Sequence, residues 1–148
     1  MMRIGFLPSD FNPMVLMLGE AEDFRALGGV LRGFARQQAD LRIDAMGFCA
    51  SSNTALMLTA GQPPGQPPGQ PPGQPPGQPP LGIHAVLDGL VWRIDPEQAL
   101  AFAGQADALA DPAMLSGAEF LLCSTADEIP VKLSRGEYTD DFLRTAAV

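Results

Sequence analysis

Arg25, Arg32 and Arg36 are spaced by seven and four residues, so on a helix they fall in one narrow stripe opposite Phe24, Leu27 and Leu31. Guanidinium groups gathered in this way suit a carboxylate or a phosphate, which arginine grips with two parallel hydrogen bonds. The same spacing describes a solvated helix face supported by Glu22 with Arg25 and by Arg36 with Asp40. It also describes one side of an ion-pair seam, with Asp107 or Asp111 on a second helix as the other side. Trp92 lies in a β-rich run, where it is either a buried anchor or a flat surface for ligand stacking. Arg25, Arg32, Arg36 and Trp92 form the candidate ligand-binding set.

The remaining reactive residues do not assemble into a familiar site. His84 is the only histidine, and Cys49 and Cys123 stand far apart without a CxxC partner, so zinc and haem lack their usual ligands and neither a metal nor a cofactor is expected. Glu137, Asp140 and Asp141 lie close together but without the alternate-ligand spacing of a calcium loop. They read as a solvated turn leading into a short final helix capped by Thr139 or Asp140. Neither a phosphate loop nor a Gly-x-Ser-x-Gly elbow occurs, and Ser51, Ser52 and Asn53 read as turn residues. No catalytic residue is nominated, because no nucleophile comes with its base.

Charge narrows the partners. The 148 residues carry 17 acidic and 9 basic side chains, a net charge of −8, and Lys132 is the only lysine. Nucleic-acid binders neutralise phosphates with clustered Lys and Arg, so no nucleic-acid partner is expected. No apolar run approaches the roughly 20 residues that span a bilayer, so no membrane partner is expected either. The start, MMRIGFLPSD, lacks the pattern of an export signal. A cytoplasmic protein with two thiols is the expectation, with a single disulfide as the alternative.

Residues 61–80 read GQPPGQPPGQPPGQPPGQPP, five copies of a four-residue unit. Proline removes amide donors and fixes φ while glycine restores freedom, so the tract joins neither a helix nor a central strand. The period of four excludes a collagen triple helix, which needs glycine at every third position. Extended as polyproline II, the tract would reach roughly 60 Å at about 3.1 Å per residue. It reads as a linker or expanded loop; an SH3 or WW ligand is the functional alternative.

On either side of the tract the pattern is strand, strand, helix, strand, strand. Strands are predicted over 4–7, 14–18, 41–49 and 55–59 in the first half, with Phe24, Leu27, Leu31 and Phe34 on one helical face. In the second half they are predicted over 83–87, 90–94, 118–124 and 129–133. Residues 8–13 and 125–128 are read as turns, and Asp88-Gly89 as a tight hairpin. Asp95 is a good N-cap, Pro96 suits the first helical position and Gln98 can complete a capping box, so a helix runs to about residue 110. Pro130 puts its strand at a sheet edge or lies at the strand's start.

Halves of 60 and 68 residues (1–60 and 81–148) are each small for an independent core, so one domain over 1–148 is expected. The fold class is α+β: two helices packed on a largely antiparallel sheet formed by two similar ββαββ halves, with an internal duplication inferred from pattern. In plan this is similar to ligand-binding domains of some bacterial transcription regulators and to glyoxalase-like proteins. The latter draw metal ligands from His and Glu, of which only His84 offers a histidine here. The leading functional expectation is a non-catalytic domain that binds a small molecule or a protein near the seam between halves. An enzyme, or a structural homodimer built through sheet edges, is the alternative.

Overall fold

The computed structural model describes residues 1–7, 13–60, 81–113, 116–123 and 128–136. The expected turns over 8–12 and 125–127, the repeat tract and the acidic segment with Glu137, Asp140 and Asp141 lie outside the described residues. The elements in chain order are β1 (Met2–Leu7), β2 (Met14–Leu18), α1 (Ala21–Gln37), β3 (Leu41–Arg42), a 3-10 turn (Ile43–Ala45), β4 (Cys49–Ser52) and β5 (Leu56–Ala60). After the tract come β6 (Gly82–Val86), β7 (Gly89–Ile94), α2 (Pro96–Leu109), β8 (Gly117–Leu121) and β9 (Val131–Arg135).

The fold is α+β, and its strands form two mixed sheets in place of the single, largely antiparallel one expected. One sheet has the order β4-β1-β2-β9-β8 and the other β3-β5-β7-β6. Four adjacent pairs are antiparallel, while β1 with β4, β2 with β9 and β5 with β7 run parallel. Each sheet takes strands from both sides of the tract. The hairpin before each helix joins, in parallel, a strand from the far side of the tract: Met17 of β2 registers with Leu133 of β9, and Trp92 of β7 with Leu58 of β5. Such pairings join residues distant in sequence, so no turn signal announces them.

Alternation along the strands puts one face of each sheet into a common core. Met2, Ile4, Val15, Met17, Val131 and Leu133 come from the first sheet, and Leu56, Leu58, Leu90, Trp92 and Ile94 from the second, all at most 3 % exposed. Phe24, Leu27, Leu31 and Phe34 of α1 join Ala99, Phe102, Ala103, Ala106 and Leu109 of α2 in the same buried cluster. The two helices lie against each other. Asp95 caps α2 as its sequence predicts: its carboxylate accepts the Gln98 amide at 2.7 Å, and Pro96 occupies the first turn. At the start of α1 the Asp23 carboxylate accepts the Glu20 amide at 2.8 Å.

Two local expectations are corrected. The strand predicted over 41–49 is broken after Arg42, because the Asp44 carboxylate takes the Leu56 amide at 2.9 Å and the chain turns through Ile43–Ala45 before resuming as β4. The first half therefore has three strands after its helix. Of the two placements open to Pro130, the strand start is the one found. β9 lies between β2 and β8, and Pro130 precedes it, offering its carbonyl to the Val15 amide at 2.9 Å.

Candidate functional site

The arginine stripe forms as spaced, and its members differ in surroundings. Arg25, Arg32 and Arg36 are all exposed on α1. Arg32 reaches across the helix seam to the Asp107 carboxylate of α2, and both side chains keep more than two-fifths of their surface in solvent. Asp40, the expected partner of Arg36, instead accepts the Thr59 hydroxyl at 2.6 Å. Among the described residues Arg25 and Arg36 have no ion-pair partner.

The two helices approach closely around Gly28. A β-carbon on Gly28 would stand 2.7 Å from Asp107 Oδ1 and 3.4 Å from the Ala103 carbonyl oxygen. Ala99, Ala103 and Ala106 are buried along the facing side of α2. Small residues allow this close approach. Trp92 is 1 % exposed and stacks on Phe102, ring centroids 5.8 Å apart. The tryptophan is thus a core anchor, consistent with the area an indole buries.

Sequence reasoning passed over the outer face of the second sheet. On β5 and β7 the residues alternating with the core set are Met57 and Val91, which register side by side, with Arg42 of β3 beyond Met57 and His84 of β6 beyond Val91. At the end of this face lies a depression of about 240 Å³ lined chiefly by Arg42, Ala55, Met57, Val86, Asp88 and Val91. Leu87, at the tip of the β6–β7 hairpin beside it, is 99 % exposed, and Val86 is 51 % exposed. The alternation of 56–58 and 90–92 carries the signal for this face, but it marks only the outward direction. The depression itself requires β5 and β7 to be neighbours.

Polar geometry holds the walls of the depression. Gly89 has φ +151°, and a β-carbon there would meet the Ala55 carbonyl oxygen at 2.8 Å. That carbonyl accepts the Leu90 amide at 2.8 Å, tying the hairpin to the start of β5. On the opposite side Arg42 donates from Nε to Asp44 Oδ1 at 2.8 Å and from Nη2 to Oδ2. The guanidinium hydrogen bond, aided by the Leu56 amide, pulls the Asp44 carboxyl below its ordinary range against the opposing effect of burial. The same bond pushes Arg42 up from its ordinary value. Arg42 and Asp88 bracket an apolar floor.

Cys49 and Cys123 are both thiols, each half-buried. Burial first, and then the charges of Glu128 and Asp95, push the Cys123 thiol up to about 12. A thiol so shifted is protonated near neutral pH and is a poor nucleophile. His84 is half-buried, with Nε2 3.1 Å from the Leu81 carbonyl oxygen. Among the described residues no three His, Cys, Asp or Glu side chains converge on a common point, and no helix is long and apolar enough to cross a membrane. No family model, curated protein or solved structure matches the chain.

Proposed function

We propose that this chain is a non-catalytic interaction domain that receives an apolar side chain of a polypeptide partner on the outer face of its second sheet. The observation that carries this reading is the depression between Arg42 and Asp88, floored by Met57 and Val91 and beside the fully exposed Leu87. Small-molecule pockets occupy roughly 300 to 1,000 Å³ and enclose most of their ligand. A depression of about 240 Å³ is small for such a ligand and suits a single aliphatic side chain. Burying one there contributes about 1.5 to 3 kcal/mol, appropriate to one anchor of a modest interface. The depression takes its lining from both sides of the tract, so this reading keeps the site near the seam between halves and puts it on the outer face of the second sheet. Arg25 and Arg36, both exposed on α1, offer an outlying contact for an acidic partner. The reading includes a cytoplasmic setting, which the two thiols suit, and takes the halves as copies of one module, which the reciprocal parallel pairing favours.

The test is a methyl-resolved NMR titration with N-acetyl-leucine amide. Saturable shifts confined to the methyl groups of Met57, Val86 and Val91, lost in Val91→Lys, are the expected result. Shifts scattered over the surface, or none, would overturn the assignment.

A further inference from the structure

The sheet-face reading leaves open which polypeptide supplies the apolar side chain. Building on it, we propose that the occupant is Leu87 of a second copy of this chain, the two copies exchanging hairpin tips about a two-fold axis. Three observations favour this partner. First, the projection adjoins the recess: Leu87 is 99 % exposed, while Val86, Asp88 and Gly89 of the same hairpin line one side of the depression. A two-fold contact requires such a self-complementary patch, in which each copy gives and receives the same group. Second, the tip is held ready. The tight approach of Gly89 to Ala55 and the bond from the Leu90 amide to the Ala55 carbonyl fix the turn against β5, so presenting Leu87 costs little further ordering.

Third, the charges match under the same exchange. Arg42, on β3, and Asp88, at the tip, stand on opposite sides of the recess in the strand order β3-β5-β7-β6. Arg42 spends Nε and Nη2 on Asp44, keeps Nη1, and is 45 % exposed. Among the described residues no hydrogen bond or ion pair engages Asp88. When Leu87 of one copy enters the recess of the other, the adjoining Asp88 is carried to the side where Arg42 projects. The contact is small, so the dimer is weak and reversible.

Sedimentation equilibrium of the full chain, from micromolar to millimolar concentration, tests the proposal. A monomer–dimer equilibrium is expected, with Leu87→Ser raising the dissociation constant at least about tenfold. Asp88→Arg should weaken it as well by setting like charges together. Because Leu87 is in solvent, Leu87→Ser should leave the circular dichroism spectrum and the melting temperature unchanged, which separates loss of contact from loss of fold. A chain monomeric throughout, or a dimer indifferent to Leu87→Ser, would overturn the exchange. Repeating the N-acetyl-leucine amide titration on the Leu87→Ser variant tells the two readings apart. If the unsubstituted chain never dimerises, shifts at Met57 and Val91 in the variant keep the sheet-face site and discard the second copy, whereas their absence discards both.

Discussion

Asp107 of α2 sits over Gly28 of α1, so closely that a β-carbon on Gly28 would stand 2.7 Å from Oδ1, and Arg32 one turn along α1 pairs with the same carboxylate. A glycine inside a helix costs about 1 kcal/mol against alanine. At Gly29 and Gly33 a β-carbon meets nothing within 4 Å. Alanine at either position should therefore stabilise the protein by about 1 kcal/mol. At Gly28 the same gain is offset by displacement of Asp107 and loss of an exposed ion pair worth at most about 1 kcal/mol. We expect Gly28→Ala to be nearly neutral in urea unfolding, and to recover its full benefit in an Asp107→Ala background. Equal stabilisation by Gly28→Ala and Gly29→Ala in the otherwise unchanged chain would contradict this.

The repeat tract connects strand ends that are already close. Ala60 registers with Ile94 and Gly82 with Arg93, adjacent residues of β7, so the two ends are two strand spacings apart, about 10 Å. Twenty residues far exceed that gap. Cutting 61–80 to two copies of the repeat should change stability by less than about 1 kcal/mol, since loop-closure entropy grows only logarithmically with length. A loss of several kcal/mol in denaturant unfolding would show that the tract itself packs on the domain.

What the sequence revealed depended on the range of the interaction. The capping of α2 by Asp95, the hairpin before β7 and the core faces of both helices are set within a few residues, and all were legible. Even the Arg32–Asp107 pairing was among the alternatives, because the two charges lie on the only long helical patterns. The division into two sheets was not legible: β2 joins β9 and β5 joins β7 across the tract, and a parallel pair leaves no turn signature. The break after Arg42 was missed for a related reason, since the group that ends the strand is a carboxylate bonded to an amide twelve residues away. The sheet-face depression depends on those same pairings, so Met57 and Val91 looked like ordinary strand residues.

Because both sheets are shared, neither half holds a complete one. Residues 1–60 lack the β9 neighbour of β2 and the β7 neighbour of β5, and residues 81–148 lack the reciprocal strands. Each fragment alone should be largely unfolded, and an equimolar mixture should regain the circular dichroism of the intact chain. A cooperative unfolding transition in either isolated fragment would rule out the interdependence.

Cys123 offers a check on local burial. With its thiol pushed up to about 12, alkylation by iodoacetamide at mildly alkaline pH should be many times slower than in the urea-unfolded chain. Glu128→Gln should speed the reaction by removing one of the two negative charges that oppose ionisation. Its side-chain oxygen can still accept the Cys123 amide, a bond of 2.9 Å in the native protein. Mass spectrometry of the cysteine peptides distinguishes this site from Cys49. Equal rates in the folded and unfolded chain would show that the thiol is not shielded.

Asp44 is where polar geometry supports both the fold and the rim of the depression, because it holds the Leu56 amide and positions Arg42. Leu56 is fully buried. Asp44→Ala leaves its amide without that acceptor and should cost about 1 to 3 kcal/mol. Asp44→Asn should cost less, since its carbonyl oxygen can still accept the bond. The pH dependence follows from linkage: the folded carboxyl is held below its ordinary range, so the unfolded chain takes up this proton first as pH falls. The stabilisation is complete above the ordinary carboxyl pKa and is lost as pH descends through the lowered folded value. Urea unfolding across a series of acidic pH values should show this loss in the unchanged chain and a flatter profile in Asp44→Asn. Identical acid profiles, with both variants within about 0.5 kcal/mol of the original, would mean that Asp44 acts as an ordinary surface charge.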